Sequence, residues 1–364
     1  MPVNYLTATT AATTNWGTGS NWSLTTAPAD GEDVWILTSA ALLDAGLAQS
    51  AVEPASINVT MAFTGTMGST SAYLVIGPLV FNYGLPANGS TEGSGSGRIK
   101  VDFGTDPVVC NVYDTADSGT DSNLEPVRLL FNSASSSFNQ SGGLVGIATT
   151  NPAETSTLGD INVNGSDSEL HIGNVTWSNI NQSGGTITLR TGGTSTTIDQ
   201  SGGTIEATGD FIVGTWRISD ATASCGQRRT VKSCTITRSS QTATVSCTAH
   251  GYSNGDLVRI RGAAQDEYNG IFPVTNSSAN AFDYVVEGSP ATPATGTITV
   301  HALIATTLDL YDGAVFDVSS SAIPCAVKTI NVYGDATIRR NAADPDHFRW
   351  KYITFVRGNL SIEL

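Results

Sequence analysis

Carboxylates, histidines and tryptophans are the side chains of this sequence with chemistry to offer, and their spacing decides what chemistry that is. Asp309, Asp312 and Asp317 form the best acidic grouping, joined by Asp344, Asp346 and His347. Carboxylates clustered on one face of a β-helix are the apparatus of polysaccharide hydrolases and lyases. The bland reading is that an Asp beside a Gly, as in Asp312-Gly313, is a turn residue. Asp114, Asp117 and Asp121 supply oxygen ligands for calcium but lack a regular calcium-binding repeat. His171, His250, His301 and His347 are far apart and show no metal-ligand spacing. There is no nucleophile elbow, P-loop or dinucleotide fingerprint. No catalytic residue, cofactor or metal site is expected from these patterns, and the protein reads as a non-enzyme.

Aromatic residues offer a second chemistry, sugar stacking or interface anchoring. Trp16 and Trp22 lie in a Gly/Asn/Ser-rich opening, Asn15-Trp16-Gly17-Thr18-Gly19-Ser20-Asn21-Trp22-Ser23. They either cover the exposed strand edges of a first coil or present a glycan platform together with Trp177 and Trp216. Trp350 belongs to the aromatic, locally basic run Phe348-Arg349-Trp350-Lys351-Tyr352-Ile353-Thr354-Phe355-Val356-Arg357. In this run Phe348, Arg349, Trp350, Tyr352, Phe355 and Arg357 are candidate interface residues, because aromatics with Arg are frequent anchors. The alternative is a last coil with Trp350 and Phe355 turned inward.

The elements that position these residues are announced by a recurring phrase. Asn139-Gln140-Ser141-Gly142-Gly143 returns as Asn181-Gln182-Ser183-Gly184-Gly185 and as Asp199-Gln200-Ser201-Gly202-Gly203. Each copy follows an apolar residue, and Ile161-Asn162-Val163-Asn164-Gly165 is a degenerate copy. The starts at Phe138, Ile161, Ile180 and Ile198 are 23, 19 and 18 residues apart. Such a period marks a solenoid, and units this short and rich in Thr, Ser and Gly are β-coils. β-branched runs such as Thr186-Ile187-Thr188-Leu189 supply the strands and Gly-Gly pairs the corners. Apolar residues at equal positions stack inward, and Asn or Asp at equal positions pass amide hydrogen bonds along a ladder. A β-sandwich also has tight corners but does not call for a near-verbatim phrase at coil spacing.

Composition agrees with an all-β fold. The chain has 364 residues with 38 Gly, 13% charged and 7% aromatic residues, and a net charge of −15. Its acids are scattered rather than blocked, which argues against nucleic-acid binding and docking on anionic lipid. No stretch has the apolar length of a membrane span. Met1-Pro2-Val3-Asn4-Tyr5 carries no leader signature, so synthesis in a cytoplasm and release by another route are expected. Cys110, Cys225, Cys234, Cys247 and Cys325 are odd in number and read as buried thiols, with Cys225 and Cys234 close enough in sequence to pair locally.

The sequence divides into an N-terminal cap with first coils (1–50), a β-solenoid (51–223), a small inserted β-domain (224–300) and a solenoid continuation with a C-terminal segment (301–364). The fold expected is a right-handed parallel β-solenoid with an inserted antiparallel β-barrel or sandwich. Strand-like runs between 51 and 137 read as irregular early coils, and the Asn88–Gly97 stretch as a loop or tip.

Two segments carry resemblances. The opening, through Pro28-Ala29-Asp30-Gly31-Glu32-Asp33-Val34-Trp35-Ile36, resembles the start of many β-solenoid proteins of bacterial surfaces and phage particles. In the insert, Thr242-Ala243-Thr244-Val245, His250-Gly251-Tyr252-Ser253-Asn254-Gly255-Asp256, Tyr268-Asn269-Gly270-Ile271-Phe272 and Pro293-Ala294-Thr295-Gly296-Thr297 stand in order. They resemble a small β-module of tailed-phage virion proteins and prophage genes. Asn254-Gly255-Asp256 is also a hairpin signal in its own right, with Tyr268 and Phe272 as core anchors and His250 as a turn or core residue. The resemblance implies a structural virion protein, assembled in the host cytoplasm. A head decoration or accessory role is expected, with capsid or tail proteins as partners and a homotrimeric state. The rival is a tail fibre or tailspike that binds or cleaves host polysaccharide.

Overall fold

The computed structural model describes residues 1–8, 13–37, 41–45, 52–68, 73–85, 99–115, 125–149, 153–190, 193–208, 211–224, 231–319, 325–344 and 348–364. Among them, helix is confined to the single turns Gly19–Asn21 and Asp266–Tyr268, and strands do the rest. The chain forms two compact units, Met1–Glu206 and Ala207–Leu364.

The first unit is a parallel β-solenoid. Each coil gives one strand to a first sheet, which runs from Val3–Tyr5 through Ser56–Thr60, Val109–Val112 and Val175–Gln182 to Gly193–Gln200. The following strand of each coil joins a second sheet, which includes Ile99–Asp102, Val127–Leu130, Gly143–Ile147, Ser168–Ile172 and Thr186–Leu189. The described strands between 52 and 137 join this stacking in the same two sheets.

The recurring phrase explains the regular part of this unit. Phe138, Ile161, Ile180 and Ile198 are register partners in turn, all with 0% exposure. One position outward, Asn139, Asn162 and Asn181 pass a 2.8 Å amide bond from coil to coil. The same line continues back through Asn111, Asn82 and Asn58 at 2.7–2.8 Å. Buried Gln140 and Gln182 donate to the carbonyls of their own corners, Gly143 O and Gly185 O, at 2.6 and 2.9 Å. Each also reaches a backbone carbonyl on the second-sheet strand of the next coil, Glu169 O and Thr204 O, at 3.2 and 3.0 Å. Interior amides thus tie each corner to the strand of the next coil, adding to the backbone bonds there. At the corner itself φ is +71° for Gly143, +69° for Gly185 and +71° for Gly203. A Cβ on Gly203 would stand 2.4 Å from Gly185 O, so conformation and space both exclude a side chain there.

Trp16 and Trp22 close the edge of the first coil. Asn21–Ser23 runs antiparallel beside the first strand, with Thr7 N–H donating to Asn21 O and Ser23 N–H to Tyr5 O at 2.8 and 2.9 Å. The indole N–H of Trp22 donates to Trp16 O at 3.0 Å, the rings are 5.2 Å apart, and both are buried. An edge that would template another chain is thereby paired within the chain.

The second unit contains further parallel coils and an antiparallel module. Phe211–Ile218, Ala305–Leu310, Cys325–Val332 and Phe348–Phe355 pair in that order, as do Thr222–Ser224, Val315–Asp317, Ala336–Arg339 and Leu360–Glu363. Between Ser224 and Ala305 the chain leaves the coil to build the module. Its two antiparallel sheets are Lys232–Ser233, Gly296–Ala302, Leu257–Ala263 and Gly270–Pro273, and then Thr235–Ser239, Thr242–Ser246 and Ala281–Val285. They enclose Ile236, Val245, Val258, Tyr268, Phe282 and Tyr284. Arg259 donates to Cys325 O at 3.2 Å, and Ile271 packs with Leu303 and Ala326, which seats the module on its coils.

Candidate functional site

The last coil carries the predicted interface run, and only part of that run is available. Phe348 is fully buried, its ring 5.4 Å from Phe316 and 5.6 Å from Trp350, so it is a core residue rather than an interface residue. Trp350 is half-buried, and Lys351 Nζ donates to Ile271 O of the module at 3.4 Å. Beyond this point the strand is open. Tyr352 is 53% and Phe355 57% exposed, and Arg349 and Arg357 are exposed as well, Arg357 donating to Tyr333 O.

Register explains this openness. Phe355 stands over Val332 and Ile362 over Ile338, so both occupy inward positions. Val332 and Ile338 have 0% exposure, whereas Ile362 has 43%. Core-type side chains of the last described coil therefore meet solvent, flanked by Arg349, Lys351 and Arg357.

The predicted glycan platform is overturned. Trp16, Trp22, Trp177 and Trp216 are between 0% and 4% exposed. Trp216 packs between Phe211 and Phe316 at 5.9 and 6.0 Å, and the N-terminal pair is the edge cover described above. The polar residues beside Trp177 and Trp216, such as Thr176, Ser178 and Arg217, turn outward while the indoles are buried.

The carboxylates do not converge. Asp309 is buried on a strand of one sheet, accepting from Asn331 at 2.8 Å with Arg217 at 3.7 Å. Asp317 lies on a strand of the other sheet and accepts from Ser319 N–H at 2.9 Å. Asp312 is a corner residue that accepts Asp335 N–H at 2.9 Å. Asp344 pairs with Arg261 at 3.3 Å, and Asp346 and His347 lie outside the described residues. Asp114 accepts Thr115 N–H at 2.7 Å, while Asp117 and Asp121 also lie outside the described residues. Among the described residues, no group of three or more His, Cys, Asp and Glu is placed to hold a metal ion. His250 takes a hydrogen bond from Tyr252 N–H at 3.0 Å and stacks on the Tyr252 ring, as a turn residue does.

One cluster escaped sequence reasoning. On the outer face of the second sheet in the first unit, buried Glu125 gathers four partners. Its Oε1 lies 2.9 Å from His171 Nδ1 and 2.7 Å from Arg190 Nη1. Its Oε2 accepts from Arg128 Nε at 3.1 Å and Thr149 Oγ1 at 3.2 Å. Burial works against the charge, but the His171 hydrogen bond, a backbone N–H and the Arg190 charge overcome it and hold the carboxyl down at about 2. Exposed Glu169 lies 2.8 Å from His171 Nε2. Gly146, in register between Arg128 and His171, makes the room, since a Cβ there would lie 2.4 Å from Thr149 Oγ1 and 3.0 Å from Glu125 Cδ. With both carboxylate oxygens doubly engaged, the cluster works as a cross-link between coils. The usable signal was the coil alignment of Arg128, Gly146, His171 and Thr188, which unequal loops hide.

Compared with protein-family models, curated proteins and solved structures, the chain shows no match.

Proposed function

We propose that this protein is a non-enzymatic structural component of a tailed-phage particle, a head decoration or accessory protein. The observation that carries this reading is the module. The residues that resemble the phage virion module fold as one antiparallel unit, with Tyr268 and Phe282 buried in its core and Tyr252 and Phe272 packed against it. It departs from a parallel coil and returns to it, as an appended module does. The acidic side chains best placed by sequence for catalysis are engaged in turns and ladders, which favours a scaffold over a depolymerase.

Attachment is assigned to the last coil, through Tyr352, Phe355, Arg349 and Arg357, to capsid or tail proteins and to sister copies in a homotrimer. Apolar inward-type residues ringed by cations suit a partner with an acidic rim. The protein is expected on the virion after assembly in the host cytoplasm. Labelled-antibody electron microscopy of purified particles tests the reading, with regular decoration expected. Particles that lack the protein overturn it. Removal of residues 348–364 is expected to abolish decoration and trimer formation, and a truncated chain that still does both removes the last-coil assignment.

A further inference from the structure

In the module, Cys234 and Cys247 face each other across a β-hairpin. Its strands pair from Ser239 with Thr242 out to Thr235 with Ser246, so the next positions outward are these two cysteines. Neither backbone N–H is used between them. Cys234 N–H donates to Ile298 O at 3.0 Å and Cys247 N–H to Asn280 O at 2.8 Å, each toward a different strand. That makes them a non-hydrogen-bonded antiparallel pair, in which Cα atoms lie about 4.5 Å apart and side chains are closest. This separation is within the range of about 4.4–6.8 Å that a disulfide spans. Both are free thiols, and Cys234 Sγ donates to Lys232 O at 3.3 Å.

We propose that Cys234 and Cys247 form a redox site that closes to a cross-strand disulfide by exchange with a small-molecule disulfide such as oxidised glutathione. Cys234 is the entry point, because it is partly exposed while Cys247 is buried. The Cys234 thiolate attacks one sulfur of the glutathione disulfide, forming a mixed disulfide and releasing one glutathione thiolate. The Cys247 thiolate then attacks the Cys234 sulfur and releases the second glutathione. The two protein thiols lose two electrons, glutathione disulfide gains them, and the thiol protons pass through solvent to the leaving thiolates. Burial, with the neighbouring Cys247 thiol, pushes the Cys234 thiol upward. Closure is therefore slow at neutral pH and faster as pH rises, since the thiolate is the nucleophile. Cys110 and Cys325 are buried elsewhere and take no part.

The test treats the native full-length chain with oxidised glutathione, blocks remaining thiols with an alkylating agent, and maps peptides by mass spectrometry. The expected product is a 234–247 linked peptide, the loss of two hydrogens from the intact mass, and a rate that rises with pH. Cys225→Ser is expected to leave the linkage intact, whereas Cys247→Ala stops at the glutathione adduct on Cys234. Wild-type mapping needs no variant, so a misfolded variant does not obscure the result. A 225–234 linkage, a lasting glutathione adduct on the wild-type chain, or fully reduced thiols after prolonged oxidation at high pH overturns the proposal.

Discussion

The regular coils of the first unit and the inserted module of the second are both all-β, yet they are held together by opposite means. In the coils, each side chain leans on its own counterpart one coil away. Ile161 is covered by Phe138 and Ile180, and Asn162 is bonded to Asn139 and Asn181. In the module, hairpins fold back locally around Tyr268, Phe282 and Tyr284, and no position repeats. A coil residue is thus supported by long-range copies, and damage there passes along the stack, as in other quasi-one-dimensional folds. A module residue is supported by near neighbours, and damage stays within its sheet pair.

The strongest break in the coils is expected at Glu125. Glu125→Ala leaves Arg128 and His171 buried without their shared carboxylate, a loss of about 3–5 kcal/mol. Hydrogen exchange is expected to accelerate across residues 125–190 while the module's amides keep their protection. Equal loosening of both regions removes the distinction. Acid probes the same group. Its folded value of about 2 lies below its ordinary 4.5, so its ionised form stabilises the fold fully above about pH 4.5. That contribution disappears as pH falls through about 2, and Glu125→Gln flattens this part of the stability–pH curve.

Corner glycine comes next. Gly203→Ala adds a Cβ at positive φ, 2.4 Å from Gly185 O, and is expected to cost about 2–4 kcal/mol by combined strain and overlap. Chemical denaturation followed by tryptophan fluorescence reads this loss. A cost below about 1 kcal/mol shows that the corners yield and that the coils are not locked to one another.

What the sequence made legible follows the same division. The phrase at Phe138, Ile180 and Ile198 fixes inward and outward positions by strict repetition, so the apolar stack and Asn ladder could be read directly. The interior role of Gln140 and Gln182 could not, because a polar residue beside a Gly-Gly corner looks solvent-facing until its corner carbonyl is known. Glu125, His171 and Arg190 stand on different coils joined by unequal loops, and no sequence spacing links them. The four tryptophans misled for a related reason, since their polar neighbours alternate outward on the strands and turns that turn the indoles in. Phe348 and Phe355 share one run, yet one is sealed under Phe316 and Trp350 while the other is open.

The ladder sets a milder contrast. Asn162→Ala removes a donor to Asn139 and an acceptor for Asn181, both on a part-exposed line. The expected loss is about 1–2 kcal/mol, two ordinary hydrogen bonds with water as a partial substitute. In a double-mutant cycle, Asn162→Ala and Asn181→Ala are expected to be non-additive because they share one bond. Strict additivity makes the ladder a by-product of register rather than a support.

An effect no larger than the ladder's is expected at the module's own turn. Gly255 has φ of +93°, like the coil corners on the left-handed side, but a Cβ there meets nothing within 4 Å. Gly255→Ala therefore carries conformational strain alone, about 1–2 kcal/mol. Gly255→Asn is expected to recover part of that, since Asn tolerates this region better than Ala. At Gly203 the same Asn replacement recovers nothing, because the obstacle is the backbone of the neighbouring corner. Measuring all four variants by denaturation, with hydrogen exchange to assign each loss to its region, separates strain from contact. If Asn rescues Gly203 as well as Gly255, coil corners are set by backbone conformation and not by stacking, and the contrast between the two regions fails.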